Sequence, residues 1–149
     1  MSGAEQTTAS KAVVRRLWDE VFNMGKLETA EELLAADCVD HNPYGEAAGA
    51  AETVKHWFAP LRAALPDAAD AFPDLHSTFD AIIAEGDRVV VRGSERGTHH
   101  HAYRGAPSTG RYYRLDVLNI FRVADGRIVE RWGAADTLGF AKRVLLGEE

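Results

Sequence analysis

The sequence predicts an α+β domain in which helices come first and a run of strands follows. Apolar residues recur at three- and four-residue spacing up to about residue 65, and after that point β-branched and aromatic residues form short runs separated by turn residues. Helices that precede an antiparallel meander cover one face of its sheet. We therefore expect N-terminal helices to close a strongly curved antiparallel sheet of about four strands, giving a cone with a cavity at its wide end.

The length of the chain and its net charge exclude several classes of protein. The chain has 149 residues, which suits a single domain over 1–149, and we expect residues 1–8 to form a flexible tail. Lys and Arg total 17 against 23 Asp and Glu, and the net charge of −6 argues against a nucleic-acid partner. No apolar run approaches the roughly 18 residues that a membrane span needs, and no basic and apolar leader begins the chain. These features predict a cytoplasmic protein that does not contact a membrane.

Helices with apolar faces are predicted before the strands, at residues 9–24, 27–35 and 51–65. Ser10 and Gly25 fit the N-cap and the stop of the first helix. Pro60 predicts a kink or an early end in the third helix. Asp, Asn, Pro and Gly are concentrated at 37–49, which predicts a loop between the second helix and the third.

Strands joined by short turns make up most of the second half, at residues 75–84, 88–98, 111–123 and 127–134. Glu85-Gly86-Asp87 and Ala124-Asp125-Gly126 are typical hairpin turns, so these strands form an antiparallel meander. Asp136 can cap a last helix that ends near Leu146.

Histidines are the first candidates for chemistry. His41 lies in the predicted loop, where an imidazole can act as a general base near neutral pH, and the alternative is a loop histidine bonded to backbone. Strand alternation places His99 and His101 on one face and His100 on the other. Two imidazoles on one face can bind a metal, but the sequence shows no third ligand and no spaced metal motif. We therefore predict no metal site.

One face of the third predicted strand resembles the lining of a small-molecule site. It carries apolar groups with one amide among them: Tyr113, Leu115, Val117, Asn119 and Phe121. The alternative is that this face is plain hydrophobic core. The predicted substrate-binding residues are Val117, Asn119 and Phe121, joined by Tyr44, Trp57 and Trp132.

Other kinds of active site find little support. No Gly-rich phosphate loop follows a strand and no Gly-x-Ser-x-Gly elbow occurs, so we predict no nucleotide cofactor and no serine nucleophile. Cys38, the single cysteine, excludes an intrachain disulfide, and the neighbouring Asp37 and Asp40 disfavour its thiolate. Asp136 is a candidate acid or base, with helix capping as its alternative role.

A set of short segments matches a known family in order and spacing. The segments are Asp40-His41-Asn42-Pro43, residues 85–92, Gly97-Thr98-His99, residues 105–110, and residues 122–132 followed by Asp136. Together they resemble the SnoaL-like polyketide cyclases of the NTF2-like superfamily, over about residues 13–146. The resemblance implies a cone-shaped α+β fold, a homodimer formed through the sheet, and a cofactor-independent enzyme that acts on a bulky carbonyl compound.

The resemblance also implies where the catalytic group belongs. In the aromatic polyketide cyclases of this family, an aspartate near the end of the last strand is the acid and base of an intramolecular aldol ring closure. Aligning Gly126-Arg127-Ile128 with the family's Gly-Lys-Ile segment puts Gly133 at that position. Asp136, three residues later, is the replacement that we predict, and His99 matches the family.

Two hypotheses remain open. In the first, the protein is a cyclase in which His41, His99 or Asp136 removes a proton beside the carbonyl of a small hydrophobic or aromatic substrate. In the second, it is a non-catalytic small-molecule-binding module that kept the fold and lost the acid, as Gly133 indicates. An Asp136 that caps the last helix and faces solvent favours the second hypothesis. An Asp136 in an apolar pocket beside a histidine favours the first.

Overall fold

The computed structural model describes residues 2–24, 26–41, 73–74, 76–103 and 105–147. Its strands are β1 Leu34–Asp40, β2 His76–Glu85, β3 Arg88–Thr98, β4 Tyr112–Ala124 and β5 Arg127–Ala135. Its helices are α1 Gly3–Arg16, continued by a π-helical segment Leu17–Asn23, then α2 Leu27–Leu33, and α3 Thr137–Phe140, continued by a π-helical segment Ala141–Leu145. The predicted helix at 51–65, with Tyr44 and Trp57, lies outside the described residues.

The strands form one curved, open sheet in the order β1-β5-β4-β3-β2. The four antiparallel strands of the predicted meander are confirmed, and β3 has the predicted bounds. A fifth strand, β1, pairs in parallel with β5 through Leu34 with Ile128 and Asp40 with Arg131. The predicted loop is therefore wrong at residues 37–40. Its Asp-rich sequence hid a strand whose partner lies about ninety residues away in the chain, beyond the reach of local patterns.

The first helix also differs from its prediction, because it begins at Gly3 and includes most of the expected tail. The Ser2 hydroxyl accepts a hydrogen bond from the Glu5 backbone N–H at 3.2 Å, and a Glu5 carboxylate oxygen accepts one from the Ser2 N–H at 2.7 Å. This reciprocal capping box satisfies two backbone donors that an uncapped helix end leaves open. It explains why residues 3–8 are helical.

The core lies between the helices and one face of the sheet, which we call the inner face. Alternation along β3 and β4 brings apolar side chains to this face, and they pack with buried residues of α1 and its π-helical continuation. The buried set includes Val14, Leu17, Trp18, Val89, Val91, Val117 and Phe121. The Trp18 and Phe79 rings lie 5.1 Å apart between centroids. None of the described helices is both long and apolar enough to cross a bilayer.

Candidate functional site

The predicted wall of the site lies on the inner face. Val117, Asn119 and Phe121 alternate with exposed neighbours along β4 and are themselves buried. Sequence alternation therefore predicted correctly that these three share one face. In the antiparallel register Asn119 lies opposite Gly133 and Phe121 opposite Arg131, which brings part of β5 to the same face.

Asn119 belongs to a buried hydrogen-bond network around Arg131. The Asn119 side-chain oxygen accepts from Arg131 Nε at 3.0 Å and from Nη2 at 2.8 Å. Arg131 Nη1 donates to both carboxylate oxygens of Asp40, at 2.8 and 3.0 Å, and the two charged side chains are each only 1% exposed. A buried guanidinium needs such a counter-charge, and Asp40 supplies it from β1.

Gly133 makes room for that guanidinium. A Cβ atom at position 133 would lie 1.9 Å from Arg131 Nη2 and 2.8 Å from the Asn119 side-chain oxygen. Any larger residue would therefore have to displace one of these groups. The position at which the family resemblance places an aspartate is thus occupied by the end of an arginine, a hydrogen-bond donor that does not titrate near neutral pH.

His41 and Trp132 lie together on the opposite face of the sheet, which we call the outer face. Trp132 pairs with Ile120, whose side chain points away from the core. The His41 imidazole stacks on the Trp132 indole with centroids 4.7 Å apart and rings 6° from parallel, and its Nε2 lies 2.8 Å from a Glu130 carboxylate oxygen. Hydrogen bonds from His41 and then Arg122 lower the pKa of Glu130. His41 and Trp132 therefore lie on the opposite side of the sheet from Asn119.

His99 is fully buried just beyond the end of β3, on the side of the inner face. Its Nδ1 lies 3.0 Å from the Thr109 hydroxyl oxygen, and that hydroxyl donates to the Val144 carbonyl at 2.8 Å. The Thr109 backbone N–H donates to the same Nδ1 at 3.3 Å, so Thr109 contacts this ring nitrogen through both its hydroxyl and its backbone.

Asp136 caps the last helix. Its carboxylate accepts a hydrogen bond from the Gly139 backbone N–H at 2.9 Å and lies 3.4 Å from Arg143 Nη2. The side chain is 61% exposed. This is the capping position that favours the second hypothesis stated above, and it gives Asp136 a structural role.

An open groove of about 390 Å³ lies where the first residues of β4 meet the C-terminal helical segment. Its lining is aromatic and basic: Arg111, Tyr112, Tyr113, Arg114, Phe140, Arg143 and Val144. The Tyr113 ring meets Phe140 edge-on, with centroids 4.8 Å apart. Because Tyr113 is also an inner-face residue of β4, the groove adjoins the predicted wall.

The sequence profile of the SnoaL-like polyketide cyclases matches residues 12–144, most of the chain. The chain belongs to this family. The fold of this SnoaL-like protein is accordingly the NTF2-like one that its sequence predicted. No curated protein is significantly similar to the chain in sequence.

Solved structures agree with this family assignment. IdmH from Streptomyces antibioticus, provisionally described as a polyketide cyclase, is 33% identical, with 93% of this chain and 96% of IdmH covered and a TM-score of 0.71. AclR from Streptomyces galilaeus, provisionally described as a hydroxylase, is 26% identical over 95% of this chain and 82% of AclR, with a TM-score of 0.70. A provisionally described SnoaL-like polyketide cyclase from Jannaschia sp. CCS1, 20% identical, shares the fold over 100% of this chain and 99% of its own, with a TM-score of 0.77.

Sequence analysis missed one titratable group on the inner face of this SnoaL-like chain. Glu95 lies on β3 in the alternation that brings Val89 and Val91 inward, and burial raises the pKa of its carboxyl to about 7. The available signal was a carboxylate at an inward strand position between Gly93 and Gly97. It was overlooked because a charged residue in a strand usually faces solvent.

Cys38 is buried on β1, and the pKa of its thiol is raised to about 11, first by burial and then by Asp40 and Asp37. The thiol is therefore neutral at pH 7, which is consistent with the prediction that it is not a nucleophile. Within the described ranges, no three His, Cys, Asp or Glu side chains come together as metal ligands would.

Proposed function

We propose that the protein is a cytoplasmic, cofactor-independent polyketide cyclase that closes a ring in a small hydrophobic or aromatic carbonyl compound by an intramolecular aldol reaction. Membership of the SnoaL-like family supports this proposal, as does IdmH, which is one third identical and provisionally described as a polyketide cyclase. The reaction requires two proton transfers. A base removes a proton beside one carbonyl, the resulting enolate carbon forms a bond to a second carbonyl carbon, and the new alkoxide oxygen takes up a proton.

One observation carries the proposal: the inner face combines apolar walls with buried titratable groups. Val117 and Phe121 supply the apolar surface that a hydrophobic substrate needs. Of the three catalytic candidates predicted from the sequence, His99 is the one that is buried on this side, and hydrogen bonds to Thr109 hold its ring. We assign His99 one of the two proton transfers.

The positions of the other two candidates support structural roles. His41 stacks on Trp132 at the outer face, and Asp136 caps a helix in solvent. Substitution of either side chain should therefore leave the chemistry on the inner face intact.

A homodimer is part of the proposal, and the outer face supports it. Ile83, Val90, Ile120 and Trp132 lie directly opposite one another across four strands, from β2 to β5. Ile83 is 64% exposed and Ile120 38%. A second copy of the chain that packed on this row would remove these apolar side chains from water.

The second candidate function is a non-catalytic binding module. The exposed cap at Asp136 and the guanidinium packed over Gly133 favour it, because neither position can supply a buried acid. Such a module would bind a carbonyl compound and release it unchanged.

Hydrogen exchange on a model ketone separates the two functions. The probe is 2-tetralone, a bicyclic ketone whose α-protons exchange in D2O through the enolate, followed by proton NMR against a protein-free sample. We expect the protein to accelerate exchange. We also expect Val117→Phe, which fills the inner wall, to reduce the rate at least tenfold, and its outward-facing neighbour control Leu118→Phe to leave it within twofold. Binding of the probe without acceleration would contradict the enzyme and support the binding module.

A further inference from the structure

Glu95 lies on the inner face of β3, between strands β2 and β4. Its direct neighbours across the sheet are Ser77 on β2 and Leu115 on β4. Directly paired side chains on adjacent strands stand about 5 Å apart at Cβ, so these two groups flank the Glu95 side chain. Among the described residues, no side-chain hydrogen bond or ion pair involves its carboxyl group.

The strand positions on either side of Glu95 on this face are glycines. A Cβ at Gly93 would lie 2.8 Å from the Thr78 carbonyl oxygen and 3.2 Å from the Trp18 ring, so Trp18 covers that side. Gly97 is paired with Tyr113, whose ring is therefore on the other side. The carboxyl thus projects between two aromatic side chains with no side chain of its own strand beside it.

Glu95 is partly exposed. The residue keeps a fraction of its area accessible, although protein atoms surround its carboxyl closely enough for burial to raise the pKa to about 7. Glu95 therefore differs from a residue sealed in the core, such as Cys38, which is fully buried.

Several charged or titratable groups belong to the elements around Glu95. They are Tyr113 on β4, His99 beyond β3, Asp74 before β2, and Arg15 on α1, whose guanidinium lies 5.5 Å from the Phe79 ring. Burial, and secondly the charge of Glu95, raise the pKa of Tyr113, so its phenol stays protonated over the whole physiological range. The Glu95 carboxylate can therefore accept a proton, and the Tyr113 phenol beside it can donate a hydrogen bond.

We propose that Glu95 is the catalytic base that removes the α-proton of the carbonyl substrate, and that Tyr113 donates a hydrogen bond to the enolate oxygen. This inference rests on the proposed function and names the group that performs its first step. The Glu95 carboxylate takes the α-proton and the C–H electron pair becomes the enolate. After ring closure the alkoxide oxygen takes a proton from His99, the Glu95 carboxylic acid releases its proton to solvent, and His99 regains one from solvent. His99, four strand residues further on and about 13 Å away along the backbone, is left with the second proton transfer.

The open groove at the start of β4 lies beside Tyr113. It is lined by Tyr113 itself and by Arg111, Arg114 and Arg143. Two of these arginines have carboxylate partners, Asp116 for Arg114 and Asp136 for Arg143, so the aromatic rings of the groove are its main binding surface for a hydrophobic carbonyl compound.

The dependence of 2-tetralone exchange on pH tests the assignment. The protein-dependent rate of the wild type should rise between pH 5.5 and 8.5 with a midpoint near the Glu95 pKa of about 7, because the base must be ionised. Glu95→Gln keeps the shape of the side chain and should slow exchange about 100-fold or more at pH 8. Tyr113→Phe should slow it about tenfold or more, with an unchanged midpoint. The control Asp116→Asn, an exposed carboxylate on the outer side of β4, should match the wild type.

A second measurement keeps the assignment separate from the proposed function. Carbon NMR of 13C-labelled Glu side chains should show one carboxyl that titrates near pH 7 and is missing in Glu95→Gln. Wild-type exchange that Glu95→Gln retains with the same midpoint would overturn the role of Glu95 and leave the cyclase proposal standing. No exchange by the wild type would overturn the proposed function, and Glu95 with it, whatever its titration shows. A larger loss of exchange in His99→Asn than in Glu95→Gln would assign the base to His99.

Discussion

Arg131 and Asp40 form a buried ion pair that joins the last strand of the meander to the parallel strand β1. Arg131 Nη1 lies 2.8 and 3.0 Å from the two Asp40 carboxylate oxygens, and both side chains are almost completely shielded from water. The same guanidinium occupies the space above Gly133. One residue thus pairs with β1 through Asp40 and fills the space above Gly133.

Removal of one partner of this pair should destabilise the fold strongly. Asp40→Ala leaves the Arg131 charge buried without its carboxylate, and we expect the free energy of unfolding to fall by about 3–5 kcal/mol in denaturant titrations. The control is Asp116→Asn, whose 3.0 Å pair with Arg114 is exposed and should change stability by less than about 1 kcal/mol. Equal effects of the two substitutions would show that the Asp40 pair is not buried in solution.

Gly133→Ala should be destabilising because of Arg131 and not because of backbone strain. The new Cβ would meet the guanidinium, which Asp40 and Asn119 prevent from moving, and overpacking of this kind costs about 1–3 kcal/mol. In an Arg131→Met background the same substitution should cost much less. The control Gly3→Ala, where a Cβ meets nothing within 4 Å, should not destabilise. Thermal unfolding of the four variants provides the comparison, and an additive double mutant would contradict the clash.

Glu95 makes stability fall as the pH rises. Its pKa is about 7 in the folded chain and near the ordinary value of 4.5 when unfolded, so between these values the folded state binds more protons. Stability from this group is therefore fully present below about pH 4.5 and is lost as pH rises through 7, by up to about 3 kcal/mol. Glu95→Gln should unfold like the wild type at pH 4.5 and be more stable at pH 8. A constant difference between the two proteins at all pH values would contradict the raised pKa.

The outer apolar row should hold two copies of the chain together. Ile120→Glu puts a charge in the middle of the row formed with Ile83, Val90 and Trp132, and we expect a dimer to become a monomer in light scattering after size exclusion. Leu146→Glu, at an exposed position near the C-terminus, is the matched control and should remain dimeric. A wild type that is monomeric at micromolar concentration would contradict the proposed interface.

Sequence patterns predicted the meander and its inner face because alternation and turn residues act locally. β3 was predicted with its observed bounds, and Val117, Asn119 and Phe121 were correctly placed on one face. β1 was missed because its pairing partner is distant in the chain. Side chains from different strands meet at one site only if the register between the strands allows it. Alternation within a single strand does not determine that register.

The candidate site was only partly predictable for a related reason. Asn119 was predicted to contact the substrate, but its side-chain oxygen accepts a hydrogen bond from Arg131. The charge of Arg131 is in turn balanced by Asp40, and neither residue was part of the prediction. Glu95 was not considered, because a carboxylate in a strand is usually exposed. Its role follows from two flanking glycines and the aromatic side chains next to them, a relationship that exists only in three dimensions.

We propose that the acid and base chemistry belongs to the inner face and not to Asp136, which caps the last helix. The most direct test compares α-proton exchange of 2-tetralone by the wild type, Glu95→Gln and Asp136→Asn at pH 8. We predict a loss of about 100-fold or more in Glu95→Gln and a rate within twofold of the wild type in Asp136→Asn. A loss confined to Asp136→Asn would contradict the claim and return the catalytic role to Asp136.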